Sequence, residues 1–403
     1  MPFRMSSVQT RSPARPALSA ASLVLHGGFV LMGIVTTLLG PMLPILIGRW
    51  TLSDQRAGLF FSAQFCGSML GVSSLGPLLR RGYRQTLVCG FSLIAAGVAG
   101  LNLASNIACL SATVLFGCGL GQALSGTNLW VAEVAGSRRV AALSILNVMW
   151  GIGAIASSPS VMIAQRQGAT RWLLYAIAVC SLLTALILMG MKLEPRASED
   201  HDKQMPVRQV ISLRSTLSLA ALFFLYVGCE NSVAGWVASL TRRMQVGAAG
   251  DVWALTPMFF WAGLFGGRAA VPLLPLRHDE RTLLASGLIL AMGGTALLLQ
   301  ARTFATIAVS AATAGLGFAS IFPILVAWLV KAFGERSRRI ASIMFALAGL
   351  GGATMPWFVG LTSTRTGSLR AGLLVPLAGC AAMFALITAM LERVFRETSR
   401  QEI

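Results

Sequence analysis

The chain has 403 residues, 55% of them apolar and only 11% charged, with a formal net charge of +18 from 32 Lys+Arg against 14 Asp+Glu. A soluble globular chain carries about 25% charged residues, so a mean hydropathy of +0.73 excludes an ordinary water-soluble protein. The arginines fall between apolar runs and form no stripe with interleaved aromatics, which excludes a nucleic-acid surface and points to loops beside a membrane.

A helix needs about 20 apolar residues to cross the ~30 Å hydrocarbon core, and only a helix pairs its backbone polar groups within one such segment. Arg4, Arg11 and Arg15 precede the first run, Leu18–Ile47, which is too long for a signal-peptide core and reads as a retained first helix. Five more runs follow: Ala57–Leu79, Gln85–Leu103, Ile107–Val131, Val140–Ile163 and Trp172–Met191. The polar stretch Glu194–Ser215 reads as a cytoplasmic linker with a solvated charge run at Glu199, Asp200, Asp202 and Lys203. Beyond it lie Leu217–Leu240, Trp253–Leu274, Leu283–Gln300, Phe304–Val330, Ile340–Leu361 and Ala371–Leu391. The expected fold is therefore all-α, with twelve transmembrane helices in two six-helix bundles, 1–192 and 216–403, joined by 193–215.

Loop charge orients the chain. With the N-terminus inside, the inner segments hold 22 Lys+Arg and the outer loops nine, Arg268 lying within the eighth helix. That excess places both termini in the cytoplasm of an inner-membrane protein. The seven cysteines sit in or beside apolar runs with no CxxC pair, so they read as packing residues and leave no metal or cofactor site.

The halves repeat. Arg138-Arg139-Val140-Ala141 with Gly151 recurs as Arg338-Arg339-Ile340-Ala341 with Gly351, and Phe60-Phe61-x-Ala63-x-x-x-Gly67 recurs as Phe259-Phe260-x-Ala262-x-x-x-Gly266. The offsets are 200 and 199, and both repeats join corresponding helices of the two halves. A parallel repeat of six helices is the architecture of the major facilitator superfamily, with its site between the halves at the midplane.

Several stretches carry a more specific resemblance. These are Tyr226-Val227-Gly228-Cys229-Glu230 with Gly235-Trp236, Phe260-Trp261-x-Gly263-Leu264-x-x-Gly267-Arg268, and Gly315-Leu316-Gly317-Phe318 through Phe322-Pro323. Gly349-Leu350-Gly351-Gly352 through Pro356-Trp357 and Leu146-Asn147 through Gly151-x-Gly153 to Pro159 join them. Together they resemble the superfamily and, within it, the fucose–galactose–glucose:proton symporters and their relatives. The resemblance implies a transporter of the sugar class. Three departures qualify it. Leu75–Arg84 keeps the basic part of the signature between helices two and three but lacks its acid. The proton-coupling acids of helices one and four are missing, with His26, Gln122 and Asn128 in those helices and Glu133 near the end of the fourth. Helix five lacks GPxxGG, which argues against a drug antiporter.

Glu230 is the only acid well inside an apolar segment, where an ionisable group costs at least ~2.5 kcal/mol and should meet a partner or a wet cavity. It is the candidate proton-coupling residue, with Tyr226 one turn earlier and Ala234 one turn later on its face. The competing reading is a structural pair with Arg268, which would hold the carboxylate ionised. Asn231 points about 100° away and is the weaker candidate. Arg268 shares a face with Trp261, fit for an anion or for stacking on a sugar ring, or else snorkels to the interface. Gln64, Gln122, Asn128 and Asn147 offer the donors and acceptors that neutral polyols require, and Trp150 sets an aromatic plate beside Asn147. For any single amide, interhelical bonding is the competing role. Gly117-x-Gly119-x-Gly121 lacks the context of a nucleotide loop and reads as close helix packing.

The sequence thus points to a monomeric secondary transporter of a small neutral polar solute, a sugar foremost, without cofactor and open to coupling by proton or sodium. A facilitated uniporter, or a lipid, amphiphile or drug carrier on the same fold, is the alternative. No HExxH, GxSxG or His/Asp cluster suggests a membrane enzyme.

Overall fold

The computed structural model describes residues 20–193, 213–244, 250–270, 280–333 and 337–401, without the side chains of 213–215, 337–339 and 390–401. Arg4, Arg11, Arg15, nearly all of the linker, His201 and His278 lie outside the described residues. The described chain is helical throughout: α1 (Ala20–Thr37), α2 (Leu39–Trp50), α3 (Asp54–Ser73), α4 (Leu75–Leu79), α5 (Tyr83–Gly100), α6 (Asn106–Ala135), α7 (Arg139–Arg166) and α8 (Thr170–Met189). After the linker come α9 (Leu213–Arg243), α10 (Thr256–Ala270), α11 (Glu280–Gln300), α12 (Phe304–Phe318), α13 (Ile321–Phe333), α14 (Ser337–Thr366), α15 (Leu369–Gly372) and α16 (Leu374–Gln401).

Four of the twelve spans are each built from two helices: α1–α2, α3–α4, α12–α13 and α15–α16. Among the described residues, eight stretches are long and apolar enough to cross a membrane unaided, one of them the joined α6–α7 pair. Of the remaining spans, α3 and α5 fall short for visible reasons: Asp54, Gln55, Arg56 and Gln64 dilute α3, and Tyr83, Arg84 and Gln85 open α5. The described part of α10 ends at Ala270.

The long first run is the main local difference from the sequence reading. It is broken at Leu38, because Pro41 has no N–H to give the Thr37 carbonyl and Pro44 none to give Gly40. At the joint, the Leu38 N–H bonds the Val35 carbonyl at 3.4 Å and the Leu38 carbonyl accepts from the Met42 N–H at 3.1 Å. Elsewhere the ends are capped from the sequence: Ser53 accepts from the Arg56 N–H, Ser105 from Ala108 and Thr303 from Thr306. Gly136, at φ +51°, stops α6 where a side chain would be strained.

Glycine contacts show the two bundles to be copies of one packing plan. Gly117 rests on the Gln64 carbonyl and Gly315 on that of Phe260. Gly119 packs against Gly90 and Ile94, as Gly317 packs against Gly287 and Ala291. Gly153 meets Val30 of α1, as Gly351 meets Phe224 of α9. These pairs (117 and 315, 119 and 317, 153 and 351) are 198 apart, slightly less than the motif offsets. Gly151 accordingly does not share the role of Gly351 and instead faces Phe265 of the other half. The halves meet along three seams: α3 with α14, α2 with α9, and α7 with α10.

Candidate functional site

Where α1 gives way to α2, the halves leave a cleft between them. It is lined by Thr36, Thr37 and Gly40 at the break, Phe61, Gln64 and Phe65 from α3, Asn231, Ala234 and Gly235 from α9, and Trp261 from α10. The empty space is about 280 Å³ with its open part included, and the enclosed part holds about one water-sized molecule. A larger solute therefore needs the halves to part. The break creates the cleft's polarity: the Thr36 carbonyl accepts from Gln64 Nε2 at 2.9 Å, and Thr37 Oγ1 donates to the Ala154 carbonyl of α7 at 3.3 Å. Asn231 donates one N–H to Val227 at 2.9 Å, leaving its other N–H and its carbonyl for a ligand. Among the described residues, no charged side chain lines this space.

A second polar group lies behind Trp261. Tyr226 is fully buried between Phe318 and Phe322, its hydroxyl accepting from Arg268 Nη2 at 3.3 Å. Glu230, also buried, interacts with both Tyr226 and Arg268. Arg268 lies 5.5 Å over the Phe265 ring, and its Nε has no partner. Glu230 and Arg268 make no ion pair within 4 Å, and the Tyr226 hydroxyl that bonds Arg268 lies beside Glu230. Trp150 of α7 contacts Trp261 edge-on and Phe265 tilted, both at 5.6 Å between ring centroids, so an aromatic layer links this group to the first half.

The pattern of the chain has a family. A model of the Major Facilitator Superfamily matches residues 25–299. This chain belongs to the Major Facilitator Superfamily.

Solved structures agree on the fold. The superfamily chain is similar to a bacterial homologue of the human lysosomal transporter Spinster, with TM-score 0.74, 16% identity and coverage of 93% of this chain and 97% of that one. It is also similar to a variant of the E. coli fucose:proton symporter FucP, at TM-score 0.58 and 18% identity, covering 91% and 97%. The nucleoside transporter NupG gives TM-score 0.70 and 12% identity, covering 93% and 98%. Curated protein sequences gave no match. The protein is a multi-pass membrane transporter of this superfamily.

Among the residues singled out in the sequence, the transporter's cleft gathers Gln64, Asn231, Ala234 and Trp261, with Trp150 one ring removed. Tyr226, Glu230 and Arg268 form the group behind it. Gln122 faces elsewhere, its Nε2 bonding Ser74 Oγ at 2.9 Å in the packing of α6 on the α3–α4 joint. Asn128 is half-buried on α6, away from the cleft lining. Asn147 is exposed one turn from Gly151, on the α7 face that meets α10, with its amide bonded to its own helix at Leu143. His26 hydrogen-bonds its own helix at the Ser22 carbonyl, 2.6 Å away.

The sequence reading missed Thr36, Thr37, Gly40, Phe61, Phe65 and Gly235 as lining residues. Pro41 and Pro44 inside a 30-residue run were the available signal, because a broken transmembrane helix is tolerated where it faces a cavity. The order of Glu230 and Asn231 is also instructive. The α9 residues at the cleft are Asn231, Ala234 and Gly235, and Glu230, one turn before Ala234, lies at the edge of that face.

Proposed function

We propose that this transporter carries a small neutral polar solute of the sugar class across the bacterial inner membrane by alternating access. The observation carrying the reading is a cleft of two amides, a tryptophan and two phenylalanines with no charge among its lining side chains. Amides pair with hydroxyls in either sense, and an indole face suits the apolar face of a sugar ring. The bundles 1–192 and 216–403 rock about the cleft, 193–215 links them, and both termini are cytoplasmic, as the loop charges argue.

Proton coupling runs through Glu230. It is buried beside Tyr226 and Arg268, while Asn231, next to it on the same helix, lines the cleft. Solute binding in the cleft and protonation of Glu230 then favour each other.

The test is uptake into proteoliposomes under an imposed pH gradient, screening a panel of radiolabelled sugars and nucleosides. Wild-type protein should accumulate at least one sugar uphill. Glu230→Gln should lose accumulation and keep counterflow exchange. Full accumulation by Glu230→Gln with an unchanged pH profile would refute proton carriage by Glu230. Equilibration without accumulation by the wild type would mean a uniporter.

A further inference from the structure

The cross-half hydrogen bonds gather at the end of the bundle that holds the α2–α3 connection. Asp54 opens α3 there and is only 6% exposed. Its Oδ1 pairs with Arg243 at the end of α9, and its Oδ2 accepts from Ser363 of α14. One carboxylate from the first half is thus held by two helices of the second. Around it, the Gln55 N–H donates to Thr364 Oγ1 at 2.9 Å, and Arg242 donates to the Pro44 carbonyl of α2. Further in, Ser62 donates to the Ala353 carbonyl at 2.6 Å. Gly360 lets α14 lie directly against the Asp54 carbonyl oxygen, and Gly58 brings α3 against Trp357.

This grouping is not needed for folding either half, because each bond joins one half to the other. A buried carboxylate that lost both partners would be costly, so it must be hydrated when they leave. Separation of the halves at this end supplies that water. The bonds therefore favour the closed arrangement while permitting an open one.

We propose that Asp54, held by Arg243 and Ser363, is the latch that shuts the outer gate, and that it must release both partners each time the cleft turns outward. The proposal rests on the alternating-access reading above. Arg243 is the more exposed partner, at 42%, and is the natural point of first release.

The experiment places a reporter cysteine in the cleft with Thr36→Cys and measures its labelling by a membrane-impermeant maleimide, above that of the same protein without the reporter. In right-side-out vesicles, Asp54→Asn should raise the rate at least fivefold, and Arg243→Gln should do the same. The charge swap Asp54→Arg with Arg243→Asp should return the rate to within about twofold of the parent. Size-exclusion profile and thermal stability in detergent establish that each variant is folded, and Arg243→Gln alone decides the matter if Asp54→Asn is not. Unchanged labelling in the folded variants would overturn the latch. An increase seen only in inverted vesicles would support the latch and overturn the membrane orientation proposed above. No transported solute need be known for any of these outcomes.

Discussion

The hydroxyl of Tyr83, at the start of α5, donates to Glu133 Oε1 near the end of α6 at 2.6 Å. The second half repeats the tie with the partners exchanged: Trp328 of α13 donates its indole N–H to Glu280 Oε2 of α11 at 2.9 Å. Each half thus joins the entry of one helix to the exit of the next by an aromatic donor and a carboxylate, at the end of the bundle away from Asp54. The missing acid of the signature between helices two and three left this end without an evident anchor in the sequence. Glu133 supplies a carboxylate to it from another helix.

Tyr83→Phe keeps the ring and removes the bond, and should cost about 1 kcal/mol of stability. Trp328→Phe should cost a similar amount. Because the two ties lie in different halves, the double variant should lose the sum. Thermal unfolding of the detergent-solubilised protein checks this, and a large coupling between the two would show that the ties are not independent.

Gln64→Ala and Asn231→Ala each remove a cleft amide whose remaining groups face the solute. Loss of one neutral hydrogen bond, about 0.5–1.5 kcal/mol, weakens binding by roughly 2- to 10-fold. Asn147→Ala, on an exposed and self-bonded amide, should weaken it less. Gln122→Ala should leave affinity alone and lower stability, since its amide holds α6 to Ser74. Equilibrium binding of the solute found by the uptake screen orders these four variants.

Pro41→Ala restores an N–H that can bond the Thr37 carbonyl and continue the helix across the joint. The variant should be at least as stable as the parent, because the first span regains a bond. Transport should fall severalfold, because straightening that span shifts Thr36 and Thr37 in the cleft. Equal transport at equal or higher stability would show that the break has no part in function.

Gly360→Val places two methyl groups against the Asp54 carbonyl oxygen, where α14 has no room to yield. Overpacking of this kind costs about 1–3 kcal/mol. The α3–α14 seam should open at that end, so labelling of the Thr36→Cys reporter should rise even with Asp54 and Arg243 intact. Gly266→Val, where nothing lies within 4 Å, is the control and should change neither labelling nor stability by much.

The amino-acid sequence by itself determined the class of solvent, the twelve spans and the two-fold repeat, because lipid imposes one rule on every crossing segment: apolar outside, backbone paired inside. Hydropathy registers that rule directly, and the repeat emerged from glycine and aromatic spacing. What hydropathy could not decide is which way a polar residue within a span faces. Gln64 and Gln122 are both amides in apolar helices of one half, yet one opens on the cleft and the other is bound to Ser74. Glu230 and Asn231 are adjacent, and a rotation of about 100° puts the amide in the cleft and the carboxylate behind it. Asp54 has no local signal of its role, because its two partners, Arg243 and Ser363, are 189 and 309 residues away. Only the packing of one half against the other brings such groups together, since their pairing depends on contacts that no local pattern encodes.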